Sequence, residues 1–102
     1  MITIKNLRTE KFDNTKEYNV RVDRASILGN PFRMSCEAQR DDVCDMYEEY
    51  FKNMMKTNMQ FLNEVRRLYK LHKQYGQLNL YCWCAPKRCH AETIKKFLEQ
   101  YI

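Results

Sequence analysis

Four residues that can bind metals or act as nucleophiles fall within nine positions near the end of this 102-residue chain. They are the thiols of Cys82, Cys84 and Cys89 and the imidazole of His90, in the segment Cys-Trp-Cys-Ala-Pro-Lys-Arg-Cys-His. Three cysteines and a histidine are a ligand set that zinc accepts. On a strand, Cys82 and Cys84 would point to one face, whereas adjacent helical side chains diverge by about 100°. Structural zinc is therefore one hypothesis, and it requires the turn to curl back on itself.

A reactive thiolate is a second hypothesis for the same segment. A thiol of Cys84 or Cys89 at a helix N-terminus, next to Lys87 and Arg88, would have a lowered pKa that favours its anion. Packing of small side chains beside a sheet is a third hypothesis, favoured for the remaining cysteines, which are Cys36, Cys44 and Cys82. Five cysteines spaced so unevenly do not predict a secreted disulfide framework, so we expect a reducing compartment.

An anion site is also predicted at this turn. Backbone N–H groups at residues 88–91 would lie at the start of a helix, and the side chains of Lys87 and Arg88 add positive charge. His90 shares a helical face with Ile94 and Phe97, which predicts an inward-facing imidazole. Such an imidazole either bonds a backbone carbonyl or serves as a ligand or an acid/base, and both alternatives stay open.

A second segment with binding potential is the turn Gly29-Asn30-Pro31-Phe32. Glycine permits close approach of the backbone to a ligand, proline stiffens the turn, and asparagine offers both a donor and an acceptor. A Gly-Asn-Pro turn is common in loops of many proteins. Its importance therefore depends on where the fold places it.

Hydrophobic periodicity predicts the elements that position these two segments. Alternating or continuous apolar residues predict three strands, at residues 2–7, 18–24 and 78–84. Steps of three and four residues predict three helices, which begin near Asp41, Thr57 and Arg88. The order β-β-α-α-β-α predicts one α/β domain over residues 1–102, a small Rossmann-like sandwich with a short, at least partly parallel sheet. Ligands gather at the carboxyl ends of such strands, where the loops 24–32 and 85–90 would meet.

Together the two segments resemble a known family. Arg24, the Gly-Asn-Pro-Phe turn, the pair Arg40-Asp41 and the Cys-rich segment are similar to the bacterial and phage family called domain of unknown function 4326. The similarity extends over about residues 20–98. The chain departs from the family pattern at Asp23 (commonly Gly), Leu28 (an aromatic) and Ala91-Glu92 (Gly-Asp). The resemblance implies the fold and the site, and its arrangement is similar to that of Rossmann-like nucleotide-binding proteins.

From these features we expect the chain to bind a phosphate-bearing small molecule, a nucleotide or nucleotide derivative, between the two loops. Phosphate binding is assigned to Lys87 and Arg88, sugar or base binding to Arg24 and Asn30 beside Gly29, and stacking to Trp83 or Phe32. Whether the protein is an enzyme stays open. If it hydrolyses an N-glycosidic or phosphoester bond, the candidate residues are Glu92 or His90 for activating water and Cys84 as nucleophile.

The alternative is a nucleic-acid-binding or protein-binding accessory module of phage or bacterial origin, stabilised by zinc through Cys82, Cys84, Cys89 and His90. The net charge of +5 favours anionic partners in both hypotheses. A phage or host interaction protein with a vestigial pocket is a third alternative. We expect no membrane association, a monomer or homodimer, and a cytoplasmic location, which is the host cytoplasm if a phage encodes the protein.

Overall fold

The computed structural model of the protein describes residues 1–101, which form three strands and three α-helices. The strands are β1 (Ile2–Asn6), β2 (Asn19–Arg21) and β3 (Leu78–Cys82). The helices are α1 (Arg40–Thr57), preceded by a short 3-10 turn, α2 (Met59–Tyr75) and α3 (Ala91–Glu99). This confirms the predicted α/β fold class and its order of elements. None of the helices described is apolar over a length that could cross a membrane.

Strand β3 lies at the centre of the sheet, between β1 and β2. Both outer strands run parallel to it, with Ile4 of β1 and Val20 of β2 each opposite Leu80. The predicted sheet is thus parallel in both of these pairings. Because parallel strands end at the same edge, the segments that follow β2 and β3 leave the sheet side by side.

The two faces of β3 have different neighbours, which explains its continuous apolar sequence. Leu78, Leu80 and Cys82 belong to the main hydrophobic core, which also contains buried side chains of all three helices. Residues alternate along a strand, so Tyr81 faces the opposite side, where the ring of Phe12 packs against it with 4.9 Å between centroids. All five residues of β3 are buried. Burying a leucine completely contributes roughly 1.5–3 kcal/mol, so β3 anchors the fold.

The boundary between α1 and α2 differs by one residue from the predicted capping box. Asn58 is the N-cap of α2, and its Oδ1 accepts a hydrogen bond from the Phe61 N–H at 3.0 Å. The Thr57 hydroxyl instead donates to the carbonyl of Asn53, within the last turn of α1. Both residue types cap helices, and the local geometry selects asparagine. The predicted stop at Gly76 is confirmed, with a left-handed φ of 69°.

Helix α3 begins later than predicted, at Ala91 rather than near Arg88. His90 is its N-cap, and Cys89 precedes the helix. Strand β3 ends at Cys82, which leaves residues 83–89 as an irregular connection. Within it, the Lys87 N–H donates to the Cys84 carbonyl at 2.9 Å and forms a tight turn. The thiols of this segment therefore lie on a turn, where strand or helix periodicity does not set their direction.

Replacing Tyr47 with phenylalanine tests how α1 holds the loop that follows β2. The buried Tyr47 hydroxyl donates to the carbonyl of Leu28 at 2.7 Å, and burial raises the pKa of this phenol. The variant leaves that carbonyl buried without this donor, and we expect the free energy of unfolding to fall by about 1–3 kcal/mol in urea titrations. Tyr50→Phe is the matched control, because no described residue hydrogen-bonds its hydroxyl. An equal loss in both variants would contradict the assignment.

Candidate functional site

The two segments singled out in the sequence lie against one cavity of about 170 Å³ at the carboxyl edge of the sheet. It is bounded by the end of β2, the Gly-Asn-Pro-Phe turn, the first turns of α1 and the connection between β3 and α3. Its lining residues are Asp23, Arg24, Asn30, Phe32, Met34, Arg40, Val43, Cys44, Cys82, Trp83, Cys84, Cys89 and His90. Six of the predicted site residues are among them: Arg24, Asn30, Phe32, Trp83, Cys84 and His90.

Trp83 forms one wall of the cavity in a fixed orientation. Its indole Nε1 donates a hydrogen bond to Oδ2 of Asp23 at 2.9 Å, while the ring itself remains half exposed. Asp23 is buried and also pairs with Arg21. Burial by itself raises the pKa of Asp23, but the hydrogen bonds from Arg21 and Trp83 outweigh it and the net pKa is lowered. The carboxylate therefore stays ionised and holds the indole at the rim.

The opposite wall is the Gly-Asn-Pro-Phe turn, closed by its own hydrogen bonds. Asn30 Oδ1 accepts from the Phe32 N–H at 2.9 Å. The exposed Arg24 guanidinium spans the turn and donates to the carbonyl of Asn30 at 3.2 Å. The side-chain amide nitrogen of Asn30 and most of the N–H groups of Arg24 thus remain available to donate hydrogen bonds to a ligand.

Gly29 supports this turn without lining the cavity. A Cβ at this position would lie 2.5 Å from the carbonyl oxygen of Asp23 and 2.7 Å from the Cα of Arg24. The sequence predicted close approach to a ligand here, whereas the close neighbour in the structure is the chain's own backbone after β2. The glycine lets the turn fold back over the strand.

His90 faces inward, as its helical position predicted. Its Nε2 contacts the backbone carbonyl of Val22 at the end of β2, and its ring packs 5.0 Å from that of Tyr47. A carbonyl only accepts, so Nε2 carries the proton and Nδ1 has the lone pair. Burial lowers the pKa of His90 and keeps the imidazole neutral. Of the two alternatives left open, the carbonyl bond is present, and it leaves Nδ1 as an acceptor.

Four cysteines, Cys44, Cys82, Cys84 and Cys89, line the cavity, but only two of them touch. Sγ of Cys82 lies 3.3 Å from Sγ of Cys89. The hydrogen bond from Cys89, with those from the amides of Cys84 and Ala85, lowers the pKa of Cys82 to about 6, whereas the pKa of Cys89 is raised. The sequence favoured packing for Cys82 and a thiolate for Cys84 or Cys89. The geometry instead favours the anion at Cys82, because a turn supplies backbone N–H donors there.

The residues proposed as zinc ligands do not converge in the structure. Within residues 1–101, no three His, Cys, Asp or Glu side chains form a group that could hold a metal ion. One ring nitrogen of His90 is engaged by the Val22 carbonyl, on the sheet side of the turn.

Lys87, Arg88 and Glu92 lie outside the cavity, in contrast to the roles predicted for them. They line a larger, open depression of about 830 Å³ that extends along Met1–Ile4 of the edge strand and the outer side of α3. Arg88 is paired with Asp41 at 3.0 Å and with Asp45 at 2.8 Å, which raises the pKa of its guanidinium. Lys87 lies 3.3 Å from Glu37.

One N–H group of the predicted anion site at the start of α3 binds a side chain of the same helix. The N–H of Cys89 donates to Oε2 of Glu92 at 3.2 Å, so this carboxylate competes with an external anion there. Glu92 is thereby a capping group rather than a neighbour of the cavity. The sequence placed the acidic residue correctly in the first turn but assigned it a different partner.

Arg40 is a cavity residue whose role the sequence analysis missed. Its half-buried guanidinium donates to both carboxylate oxygens of Glu37, at 2.9 and 2.7 Å, and to the carbonyl of Arg88 at 2.9 Å. Arg40, with Lys87 beside it, lowers the pKa of Glu37 to about 2. The Glu37 pair and a hydrogen bond to Cys84 raise the pKa of Arg40 itself. Its place in the Arg-Asp pair was the available signal, but spacing alone did not show that the side chain turns toward Cys84.

Gly29→Ala tests the close approach of the turn to β2. A methyl group 2.5 Å from a backbone oxygen must displace the turn, and we expect about 1–3 kcal/mol lower stability and a shifted emission of Trp83, the single tryptophan. Gly76→Ala is the control. A Cβ added at Gly76 has no neighbouring atom within 4 Å, but the residue has a left-handed φ, which costs alanine about 1–2 kcal/mol. An equal shift of Trp83 emission in the control would contradict the local explanation.

The buried neutral imidazole of His90 predicts a pH dependence of stability. Because the pKa of folded His90 lies below 6.5, the unfolded chain binds a proton as the pH falls below that value and the folded chain does not. Stability is therefore retained above about pH 6.5 and lost below it, by up to ~1.4 kcal/mol per pH unit. The pKa values of His72 and Cys82 are also lowered in the folded chain, so these two groups likewise make stability fall as the pH falls.

The contribution of His90 is isolated by replacing it. Urea unfolding at pH 7.5 and pH 5.5 should show a smaller pH dependence for His90→Asn than for the parent protein. An NMR titration should place the imidazole pKa of His90 below its ordinary value of 6.5. A normal or raised pKa would contradict the burial argument.

Comparison with known proteins identifies the chain at the level of its family. The searches found no similar protein among the curated proteins and none among the solved structures. The model of the family described as "Domain of unknown function (DUF4326)" matches residues 5–100, which include both walls of the cavity and all the elements after β1. The resemblance noted in the sequence is thereby confirmed, and the chain belongs to the DUF4326 family.

Proposed function

We propose that this protein binds a phosphate-bearing small molecule of the nucleotide type in the cavity between the Gly-Asn-Pro-Phe turn and the Cys-rich connection. The observation that carries the proposal is the meeting of these two segments at the carboxyl edge of a parallel sheet, around a preformed cavity. Ligands of open α/β sheets bind at this edge. A rigid aromatic wall and polar side chains on the opposite wall are the usual composition of such a site.

The size of the cavity limits which part of the ligand it encloses. Its volume of about 170 Å³ is below the roughly 300–1,000 Å³ of pockets that enclose drug-sized ligands. One ring system, a base or a ribose, is therefore the part that enters. The phosphates remain at the rim, in contact with solvent.

The cation assigned to phosphate is Arg24 rather than the pair predicted from sequence. Arg24 is exposed at the cavity, and no described carboxylate forms a salt bridge with it. Lys87 and Arg88 pair with acidic side chains and line the other depression. Arg40 also lines the cavity, but Glu37 already occupies two of its donors. Arg24 is consequently the residue best placed for an anion at the rim.

The aromatic residues supply the stacking surface. Trp83 is half exposed yet held by Asp23, so little side-chain entropy is lost when a ring stacks on it. Phe32 packs edge-on against Tyr50, with 5.8 Å between centroids, and lies on the opposite wall. We assign the base or sugar to the space between Trp83 and Phe32, with Asn30 as its hydrogen-bonding partner.

A catalytic step, if the ligand is a substrate, involves His90 rather than Glu92. His90 lines the cavity and presents an unprotonated Nδ1 at neutral pH, which is the form that accepts a proton from water. Glu92 caps α3 and lines the other depression. Cys84 lines the cavity next to Arg40 and stays the alternative nucleophile.

Nucleic-acid binding is the competing function, and the outer face of α2 favours it. Four basic residues of that helix are exposed, namely Arg66, Arg67, Lys70 and Lys73. Arg67 pairs with Glu64, so three of the four have no carboxylate partner among the described residues. Binding there would depend steeply on salt and would be independent of the cavity.

The decisive experiment is a titration followed by Trp83 fluorescence and thermal shift. The ligands are ribose 5-phosphate, the common nucleoside mono- and diphosphates and, separately, a single-stranded oligonucleotide. We expect at least one mononucleotide or sugar phosphate to quench Trp83 saturably and to raise the melting temperature, because binding adds about 2.7 kcal/mol at one hundred times the Kd. No response to any small molecule at millimolar concentration would overturn the proposal.

Matched arginine and lysine variants locate the site. Arg24→Gln should weaken binding at least tenfold, because it removes the charge at the rim. Lys87→Gln should leave the affinity unchanged, although both variants alter the net charge equally. If Lys87→Gln abolishes binding and Arg24→Gln does not, the ligand occupies the larger depression instead. Loss of oligonucleotide binding only in Lys70→Gln would support the competing function.

A further inference from the structure

The contact between Cys82 and Cys89 is a feature of the cavity that ligand binding does not use. The two sulfur atoms are 3.3 Å apart, and the side chains are 1% and 4% exposed. Both residues line the cavity, and both are free thiols. A pair of thiols in direct contact, with access to a cavity, can react in a way that isolated buried cysteines cannot.

The remaining cysteines do not share this arrangement. Cys36 is exposed, Cys44 is buried, and Cys84 is partly exposed; none of the three contacts another thiol within the described part of the chain. The pair also has no third side chain that would complete a metal site among residues 1–101. The contact is therefore specific to Cys82 and Cys89.

We propose that Cys82 and Cys89 form a redox couple that a small hydroperoxide oxidises to an intramolecular disulfide. One thiolate attacks the terminal oxygen of the hydroperoxide, so an S–O bond forms and the O–O bond breaks. The cysteine keeps the terminal oxygen as a sulfenic acid, and the other oxygen leaves and takes a proton to give an alcohol or water. The second thiol then attacks that sulfur and displaces water. Two thiols and one hydroperoxide thus give one disulfide, one alcohol and one water, with two electrons transferred to the oxidant.

The class of oxidant follows from access to the sulfur atoms. Both side chains are almost completely buried and communicate with solvent through a cavity of about 170 Å³. Hydrogen peroxide enters such a space, whereas glutathione disulfide is too large to place its sulfur atoms against Cys82. The neighbouring backbone N–H groups of Cys84 and Ala85 contribute to the lowered pKa of Cys82, which favours the thiolate that the attack requires.

The disulfide would join the end of β3 to the residue before the N-cap of α3. The sulfur atoms move from 3.3 Å to the bonding distance of about 2.0 Å, and residues 83–88 become a closed loop that includes Trp83. Oxidation thereby acts on the wall of the cavity. This inference does not depend on the ligand proposed above.

The test uses the Cys36→Ser variant, because the exposed thiol would otherwise form disulfides between molecules. The folded protein is treated with hydrogen peroxide, the remaining thiols are alkylated after unfolding, and peptides are mapped by mass spectrometry. We expect a crosslink between Cys82 and Cys89, with Cys44 and Cys84 alkylated, and complete reversal by dithiothreitol. The crosslink is read in a chain that keeps both native cysteines, so the result does not depend on a core substitution being tolerated.

A control variant and a second oxidant test which cysteines pair and which oxidant reacts. Cys44→Ser should retain the crosslink, and glutathione disulfide at the same concentration should form it at least tenfold more slowly than hydrogen peroxide. A crosslink from Cys82 to Cys84, or sulfinic acid at Cys82 without a crosslink, would overturn the proposal. So would full alkylation of Cys82 and Cys89 after peroxide treatment. An equal rate with glutathione disulfide would overturn the assignment of the oxidant.

Discussion

The parallel pairing of β3 with a strand on each side is the constraint on which the rest of the structure depends. It requires the central strand to be buried on both faces, which β3 achieves through the helices on one face and Phe12 on the other. It also requires β2 and β3 to end at the same edge. The Gly-Asn-Pro-Phe turn and the Cys-rich connection follow these two strands, so the sheet itself brings them together although they lie far apart in sequence.

Two contacts across that edge fix the geometry of the cavity. The imidazole of His90 meets the carbonyl of Val22, and the indole of Trp83 meets the carboxylate of Asp23. Each contact joins the end of β2 to the connection after β3. The His90 contact pairs a buried imidazole with a carbonyl, and the Trp83 contact adds a second hydrogen bond to the buried carboxylate of Asp23. Asp23 thus provides the anchor for the tryptophan.

The fold could be predicted from the sequence because its signals are local. Alternation in β1, continuous apolar character in β3 and helical periodicity in α1 and α2 each follow from which face of an element is buried. The stop at Gly76 follows from one residue type that tolerates a left-handed conformation. Element ends were less predictable. Thr57 and Asn58 are both good caps, and α3 begins at Ala91, three residues after the start expected from periodicity.

The sequence by itself determined which side chains are of reactive or charged types, and it predicted that the two segments lie at one edge of the sheet. The tertiary structure decided which charges are available and which thiols meet. Lys87 and Arg88 pair with acidic residues of the 3-10 turn and of α1, and Arg40 also pairs with the 3-10 turn although it lines the cavity. Charge pairing and thiol contacts depend on distances between elements, and the spacing of residues along one element does not contain those distances.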